Sequence, residues 1–580
     1  MKKSILSALL SALLLLSSCT AVADPVTTGS NPVQSTDAGT YAVSDTAADT
    51  DATITEPPFN AVLEPQESYY EGERYADCVS NDMKLVAGVV GKTNFFAPGS
   101  PVPVWLWSDP SLDGLELKVT FYATGLQSPV IQTVTLSSER ETRFCFCSER
   151  CGVGTVTLSV SGTRLSFTVG IMPKNEMAAD SFYYGIQPYI ARVMTWGSGS
   201  YVAWKDKADS VTAILDTAEW LGINLIREDG IPWEKIQPSA GAACDFTMQD
   251  ELLSLISGRG ITLDWIVAST PEWAVAEKYR TAPEAAWQKC PDTEAWRGFI
   301  TAVAGHYAGS ERLIFEIRNE PDWSFFTGTP EEYFTLLDIA GRAIRTADPK
   351  AFVFAGGLAL GDSQNPYYKN PALYFAAYKP LIEAGVIDTY AYHIHSGMNS
   401  YFQKIGELDK MVSAAGLPGG AINSESGLGA ADPGALMVKA LKTRARGDRG
   451  FVQFSFRKTP VPSGDVDKFA VFDTALCPTE SAVAYGAMIR FLGRSRLLGS
   501  AFSEPGKNVD VYSTEDGKTV AVYYNNGNGG IKVRLPEKEC KLFDLYGNPK
   551  SQPSDGFITL TDAPVYAVFD AALELSDFAG

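Results

Sequence analysis

The sequence predicts an α/β fold, a (β/α)8 TIM barrel flanked by N-terminal and C-terminal β-sandwich domains. Three observations predict it. Between residues 177 and 497, eight short apolar segments alternate with amphipathic helical stretches, as parallel strands alternate with covering helices. On either side the pattern becomes short alternating runs separated by turn residues, which suits antiparallel sheets. At 580 residues the chain also exceeds what one hydrophobic core can organise.

The elements follow in order. Lys2 and Lys3 precede an apolar run, Ile5–Leu16, that is too short to span a bilayer. It ends in Leu16-Ser17-Ser18-Cys19, which resembles the bacterial lipobox. That resemblance implies a lipoprotein signal peptide over 1–19, lipidation of Cys19, and a lipid-anchored extracytoplasmic place in a bacterial envelope. Residues 20–56 are rich in Thr, Ala, Asp, Ser and Pro and offer too little apolar surface to offset ordering, so they read as a disordered linker. Over 57–176 the runs Val102–Trp107, Leu115–Tyr122, Val130–Leu136 and Thr155–Val169 predict the first sandwich, with a packing or spacer role favoured over glycan binding.

Barrel strands are predicted at Tyr183–Ile186, Leu225–Glu228, Thr262–Val267, Leu313–Arg318, Phe352–Ala355, Thr389–His393, Gly420–Asn423 and Phe451–Phe456. Ala208–Leu221 and Glu331–Thr346 read as helices between them. An open doubly wound sheet is the alternative, but no glycine-rich phosphate loop follows the first strand. Over 498–575, the strands Val509–Ser513, Thr519–Tyr524, Ile531–Leu535, Gly556–Leu560 and Val565–Phe569 predict the second sandwich, with Asn525–Gly530 as a hairpin turn.

Composition excludes some functions. A net charge of −20 repels phosphate backbones, so no nucleic-acid partner is expected, and a strongly anionic polymer is disfavoured. Of nine cysteines, Cys145, Cys147 and Cys151 cluster, with Cys78 upstream. No histidine lies near to complete a metal site, so one disulfide or free buried thiols are expected, with the pairs unassigned.

In a barrel, chemistry sits at the C-terminal ends of strands. Strand two ends in Arg227-Glu228-Asp229, strand four in Arg318-Asn319-Glu320-Pro321-Asp322, strand six in His393-Ile394-His395, and strand seven in Asn423-Ser424-Glu425. Two glutamates thus face one mouth. Glycosidic cleavage uses one carboxylic acid to protonate the leaving oxygen and a second carboxylate to attack the anomeric carbon. The two need different pKa values. Arg227 can hold one carboxylate ionised, and that one is assigned as Glu425.

At these residues the chain resembles clan A of the retaining glycosidases, through Asn319-Glu320-Pro321. Within the clan it looks closest to glycoside hydrolase family 39, the β-xylosidase and α-L-iduronidase group. Thr270-Pro271-Glu272-Trp273-Ala274, Asp388 leading to His393, and Asp562-Ala563-Pro564-Val565-Tyr566 support this over about residues 180–572. The resemblance implies Glu320 as acid/base, Glu425 as nucleophile and Asn319 on the sugar 2-hydroxyl. Two departures stand out. His395 occupies a place where the family usually has tyrosine, and strand eight lacks the family's tryptophan. Arg227, His393, His395, Trp196, Trp273 and Trp323 are read as carbohydrate-binding, and Trp233 as either sugar-stacking or core. No metal or cofactor is expected, since the three histidines give too few ligands. The rival reading is a non-catalytic glycan-binding surface lipoprotein on a degenerate barrel. Oligomeric state is left open.

Overall fold

The computed structural model describes residues 61–578 apart from 196–207, 362, 365–366, 428–431, 459–463, 505 and 528. Cys19, Trp196, the signal-like segment and the 20–56 linker lie outside the described residues.

A closed barrel of eight parallel strands forms the centre of the chain. Its strands are Tyr183–Ile186, Leu225–Glu228, Thr262–Val267, Leu313–Ile317, Phe352–Leu358, Thr389–His393, Ile422–Ser426 and Gly450–Gln453. The ring closes where Tyr183–Ile186 pairs with Gly450–Gln453. Strand seven begins and ends later than the sequence suggests, so Glu425 lies inside it. Strand eight stops three residues short of the expected Phe456. Helices alternate with the strands. The longest in register with the sequence pattern, Pro330–Ala347, starts on a Thr329–Glu332 capping box with Pro330 in its first turn.

Two five-stranded sheets precede the barrel. Their alternating strands share one apolar filling, seen in Glu116–Ala123 and Gly152–Val160, where every second residue is buried. The predicted single run Thr155–Val169 is in fact a hairpin. Ser161 and Gly162 take positive φ values of 46° and 85° and turn the chain between Gly152–Val160 and Thr163–Ile171.

The C-terminal sheet begins at Ser495, inside the stretch assigned by sequence to the barrel, because Ser495–Glu504 pairs along Lys507–Thr514. It has six strands, and a separate two-stranded ribbon joins Lys532–Arg534 to Phe557–Thr559. The Asn525–Gly530 turn therefore does not link paired neighbours. Thr519–Tyr524 pairs instead with Lys507–Thr514 and Val565–Phe569, and the Asn525 amide donates to Leu560 O at 3.0 Å, tying the turn to the ribbon side.

Candidate active site

The site grows out of strand parity. Leu225, Ile314, Ala391 and Ile422, with Phe354 and Val452, form a buried apolar floor inside the barrel. Two residues further along four of these strands, on the same face, stand Arg227, Glu316, His393 and Ser424, all fully buried. A polar plane therefore caps an apolar floor.

Arg227 is the hub of that plane. Its Nε and Nη2 donate to the two carboxylate oxygens of Glu316 at 2.5 and 3.0 Å. Nη1 donates to Gln187 Oε1 at 2.9 Å and to Glu425 Oε1, and Nη2 also donates to Asn319 Oδ1 at 2.7 Å. A buried guanidinium is tolerated only when paired this fully. Glu228, next on the strand, points to the opposite face and accepts the N–H groups of Ile190 and Ala191 at 2.6 and 3.1 Å.

Glu425 reaches the plane through a β-bulge. Asn423 pairs with Tyr392, but the next pair is Glu425 with His393, so Ser424 is an extra residue on strand seven. Simple alternation would send Glu425 to the helix side. The bulge turns it back inward beside Ser424.

Glu320 arrives from strand four through a sharp turn. Arg318 and Glu320 have φ of 68° and 41°, left-handed values that cost non-glycine residues energy and that surrounding contacts must hold. Glu320 N–H donates to Gly357 O at 3.0 Å, and buried Asp322 accepts the N–H groups of Ala359 and Leu360 at 2.8 and 3.1 Å. Gly356 and Gly357 permit this approach. A Cβ on Gly356 would lie 2.1 Å from Arg318 O, and one on Gly357 would lie 2.0 Å from His393 Nε2.

The histidines have distinct roles. His393 is fully buried, so it contacts Glu320 rather than a sugar, correcting its assignment as carbohydrate-binding. Its Nδ1 lies 2.9 Å from Glu320 Oε1 and its Nε2 lies 3.0 Å from Ser424 Oγ, which in turn donates to Glu316 Oε1 at 3.4 Å. This order makes Nε2 the protonated nitrogen and leaves the Nδ1 lone pair for a protonated Glu320. His395 is partly exposed. Its Nδ1 accepts Gly427 N–H at 3.2 Å, so Nε2 carries the proton and faces Glu425 Oε2 at 3.3 Å. Phe469 stacks on its ring at 5.5 Å and Phe454 meets it edge-on at 5.0 Å.

One atom each from Glu320, His393, His395 and Glu425 lies within 4.8 Å of all the others. These are the residues that would hold a metal, but the His395 nitrogen facing them is a donor in this tautomer and offers no lone pair. The two carboxyls differ electrostatically. Burial, followed by the nearby Glu425 charge, pushes Glu320 up to about 8. Burial also opposes charge on Glu425, but the Arg227 guanidinium, with a hydrogen bond from His395, outweighs it and holds Glu425 well below the usual carboxylate range. Burial lowers His393 to about 4, so it is neutral near pH 7.

The tryptophans divide. Trp233 is core, stacked on Phe299 at 4.4 Å. Trp273 is half-buried, its indole N–H spent on Gln237 O at 3.2 Å and its ring edge-on to Trp233. Half-buried Trp323 lies three residues after Glu320 and leaves room only for glycine at 361. Sequence reasoning missed Glu316, Ser424, Gln187 and the Gly356-Gly357 pair. It also missed Trp287 and Phe325, an exposed aromatic pair 5.7 Å apart on the loops after strands three and four. The glycine pair inside a strand was the available signal for close backbone approach.

No family model matches the chain, and no curated protein matches its sequence. Among solved structures, a family 39 glycoside hydrolase from the gut symbiont Bacteroides cellulosilyticus is similar, with a TM-score of 0.60 at 15% identity over 83% of this chain and 99% of that one. A monomeric β-xylosidase from Caulobacter crescentus gives 0.48 at 14% identity, over 69% and 98%. A family 30 subfamily 8 xylanase from Clostridium acetobutylicum gives 0.44 at 14% identity, also over 69% and 98%. The first likeness shows a shared fold. The chain is built as a family 39 glycoside hydrolase is built, which is the family its strand-end residues resemble.

Proposed function

We propose that this protein is a retaining glycoside hydrolase, with Glu425 as nucleophile and Glu320 as acid/base. One observation carries the reading. A carboxyl oxygen of each residue lies within 4.8 Å of the other, while their surroundings drive their ionisation in opposite directions. A spacing near 5 Å suits direct attack, whereas inversion needs roughly 6.5–9.5 Å to admit a water.

In the first step, protonated Glu320 gives its proton to the departing glycosidic oxygen while the Glu425 carboxylate attacks the anomeric carbon. A glycosyl ester and a free alcohol result. In the second step Glu320, now a carboxylate, takes a proton from water, whose oxygen displaces Glu425. Arg227 and His395 hold the nucleophile ionised and aimed. With its Oδ1 fixed by Arg227, Asn319 turns its amide donors toward the sugar 2-hydroxyl. The substrate class is carbohydrate, consistent with the glycosidase likenesses. The lipobox-like Cys19 supports a further proposal, that the enzyme works outside the cytoplasm on a lipid anchor.

The test is turnover of aryl glycosides and oligosaccharides, with product anomers followed by NMR. Glu425→Gln should abolish turnover of every substrate. Glu320→Gln should spare aryl glycosides with acidic leaving groups far more than sugar-linked substrates, because only the latter need a proton. Inverted product, or turnover surviving both substitutions, removes the reading.

A further inference from the structure

The first sandwich grips one turn of the barrel that leads to the active site. Cys78, at the end of the strand Arg74–Val79, and Cys477 are separated by 399 positions, yet their sulfurs lie 3.7 Å apart and both are buried. Sandwich residues hold the turn on either side. Asn94 donates its amide to Ala475 O and Leu476 O at 3.2 and 3.1 Å, and Thr168 Oγ1 donates to Pro478 O at 2.6 Å. Phe95 meets Phe472 edge-on at 6.0 Å. Asp473 shapes the turn from within, accepting the N–H groups of Ala475 and Cys477 at 2.9 and 2.8 Å.

The same segment runs back into the site. Phe472 N–H donates to Phe456 O at 2.9 Å and Val471 N–H to Ser455 O at 3.3 Å. Phe469 O accepts from Gln453 Nε2 at 3.0 Å, and the Phe469 ring is the face against which His395 stacks. Whatever fixes Cys477 therefore also fixes the face against which His395, the partner of Glu425, is stacked.

We propose that Cys78 and Cys477 form an oxidisable dithiol site, closed to a disulfide when the chain folds among disulfide donors, and that the bond staples the first sandwich to the segment carrying Phe469. The sulfurs must approach from 3.7 Å to a bond length of about 2.05 Å, within the reach of side-chain rotation. The co-reactant is a protein or small-molecule disulfide. One cysteine thiolate attacks a donor sulfur and releases one donor thiol. The second thiolate attacks the mixed disulfide and releases the other. The pair loses two protons and two electrons, and the donor disulfide is reduced to two thiols. Closing so long a loop restricts the unfolded chain, so the bond stabilises the joint between the two folded layers.

The experiment compares the full chain exported to an oxidising compartment with the same chain made in a reducing cytosol. Each is denatured in alkylating agent, digested without reductant and mapped by mass spectrometry. The exported chain should yield a Cys78–Cys477 linked peptide, two hydrogens lighter than its parts and released by dithiothreitol, and the cytosolic chain should not. Its melting temperature should drop by a few degrees on reduction, and the exported Cys477→Ala variant should match the reduced parent. Alkylation of both cysteines in the exported chain, or pairing of Cys78 with Cys145, Cys147 or Cys151, overturns the proposal. The peptide map needs no variant, so a misfolded substitution leaves it decisive, and it reads no activity, so it stands apart from the hydrolase assignment.

Discussion

Replacing Glu425 by Gln should make Glu320 a much stronger acid. Their oxygens lie within 4.8 Å, and at an effective dielectric of about 20 two unit charges at that distance repel by about 3.5 kcal/mol, roughly 2.5 pH units. Arg227 offsets part of the Glu425 charge in the parent, which reduces the effect, and a freed Arg227 adds to it in the variant. A fall of roughly 2 units is therefore expected, from about 8 in the parent. Burial is the larger cause and persists, so Glu320 should remain above the ordinary carboxylate value. The assay is a carboxyl NMR titration of carbon-13 glutamate-labelled protein, with Glu320→Gln to assign the resonance. An unmoved or rising Glu320 pKa would refute the coupling on which the mechanism depends. The same coupling has a use within turnover. Once Glu425 is esterified its charge is gone, Glu320 becomes more acidic, and after donating its proton it persists as the base the second step requires.

Other outcomes follow from the same geometry. His395→Phe should lower kcat by roughly 10- to 100-fold, the worth of one hydrogen bond to a charged group, and His395→Tyr should recover much of it by supplying an O–H; equal activity of the two variants would show that the ring contact with Phe469, not the donor, matters. Gly357→Ala puts a methyl 2.0 Å from His393 Nε2 and 2.6 Å from Ser424 Oγ, so it should cost about 1–3 kcal/mol in denaturant unfolding and shift the alkaline limb of the pH–rate profile; an unchanged profile would mean that His393 does not govern Glu320. Trp287→Ala should weaken KM for oligosaccharides while sparing small aryl glycosides, and an equal effect on both would argue against an aromatic platform for distant sugar units. Thermal stability should fall from pH 5 to pH 7. Burial raises Glu228 and Glu320 to about 8, Asp322 to about 7, and Asp448 and Asp510 to about 6. A carboxyl whose folded pKa is raised contributes stability fully present below its unfolded pKa and lost as pH rises through the folded one. His393, lowered to about 4, opposes this over the lower part of the window, and Lys439, lowered to about 7, opposes it at the upper edge. Calorimetry showing a rising melting temperature over that window would contradict the upward shift of these carboxyls.

Much of the site was legible because barrel strands keep a strict two-residue period. Leu225 and Arg227, Ile314 and Glu316, and Ala391 and His393 each read as floor and plane once the strands are placed. Glu316 is recoverable by that rule as the lone acid in Leu-Ile-Phe-Glu-Ile, although it lies inside its strand and not at the end. The hairpin at Ser161-Gly162 was hidden because two alternating strands joined by a two-residue turn keep one continuous pattern. The Asn525–Gly530 turn misled for the opposite reason. Its local chemistry is that of a tight hairpin, while which strands pair is fixed by the sheets it connects.

The sequence by itself determined the barrel, its two β flanks, and the residue types available at the strand ends, because these rest on local periodicity and on the burial of apolar faces. Tertiary structure decided which of those residues meet. Parity alone sends Glu425 outward, and only a bulge set by pairing with strands six and eight turns it toward Arg227. Only the packing of strand five, bare of side chains at Gly356-Gly357, lets the Glu320 turn and His393 close to 2.9 Å. Register and close approach depend on neighbours far away in the chain, and a local pattern carries no record of them.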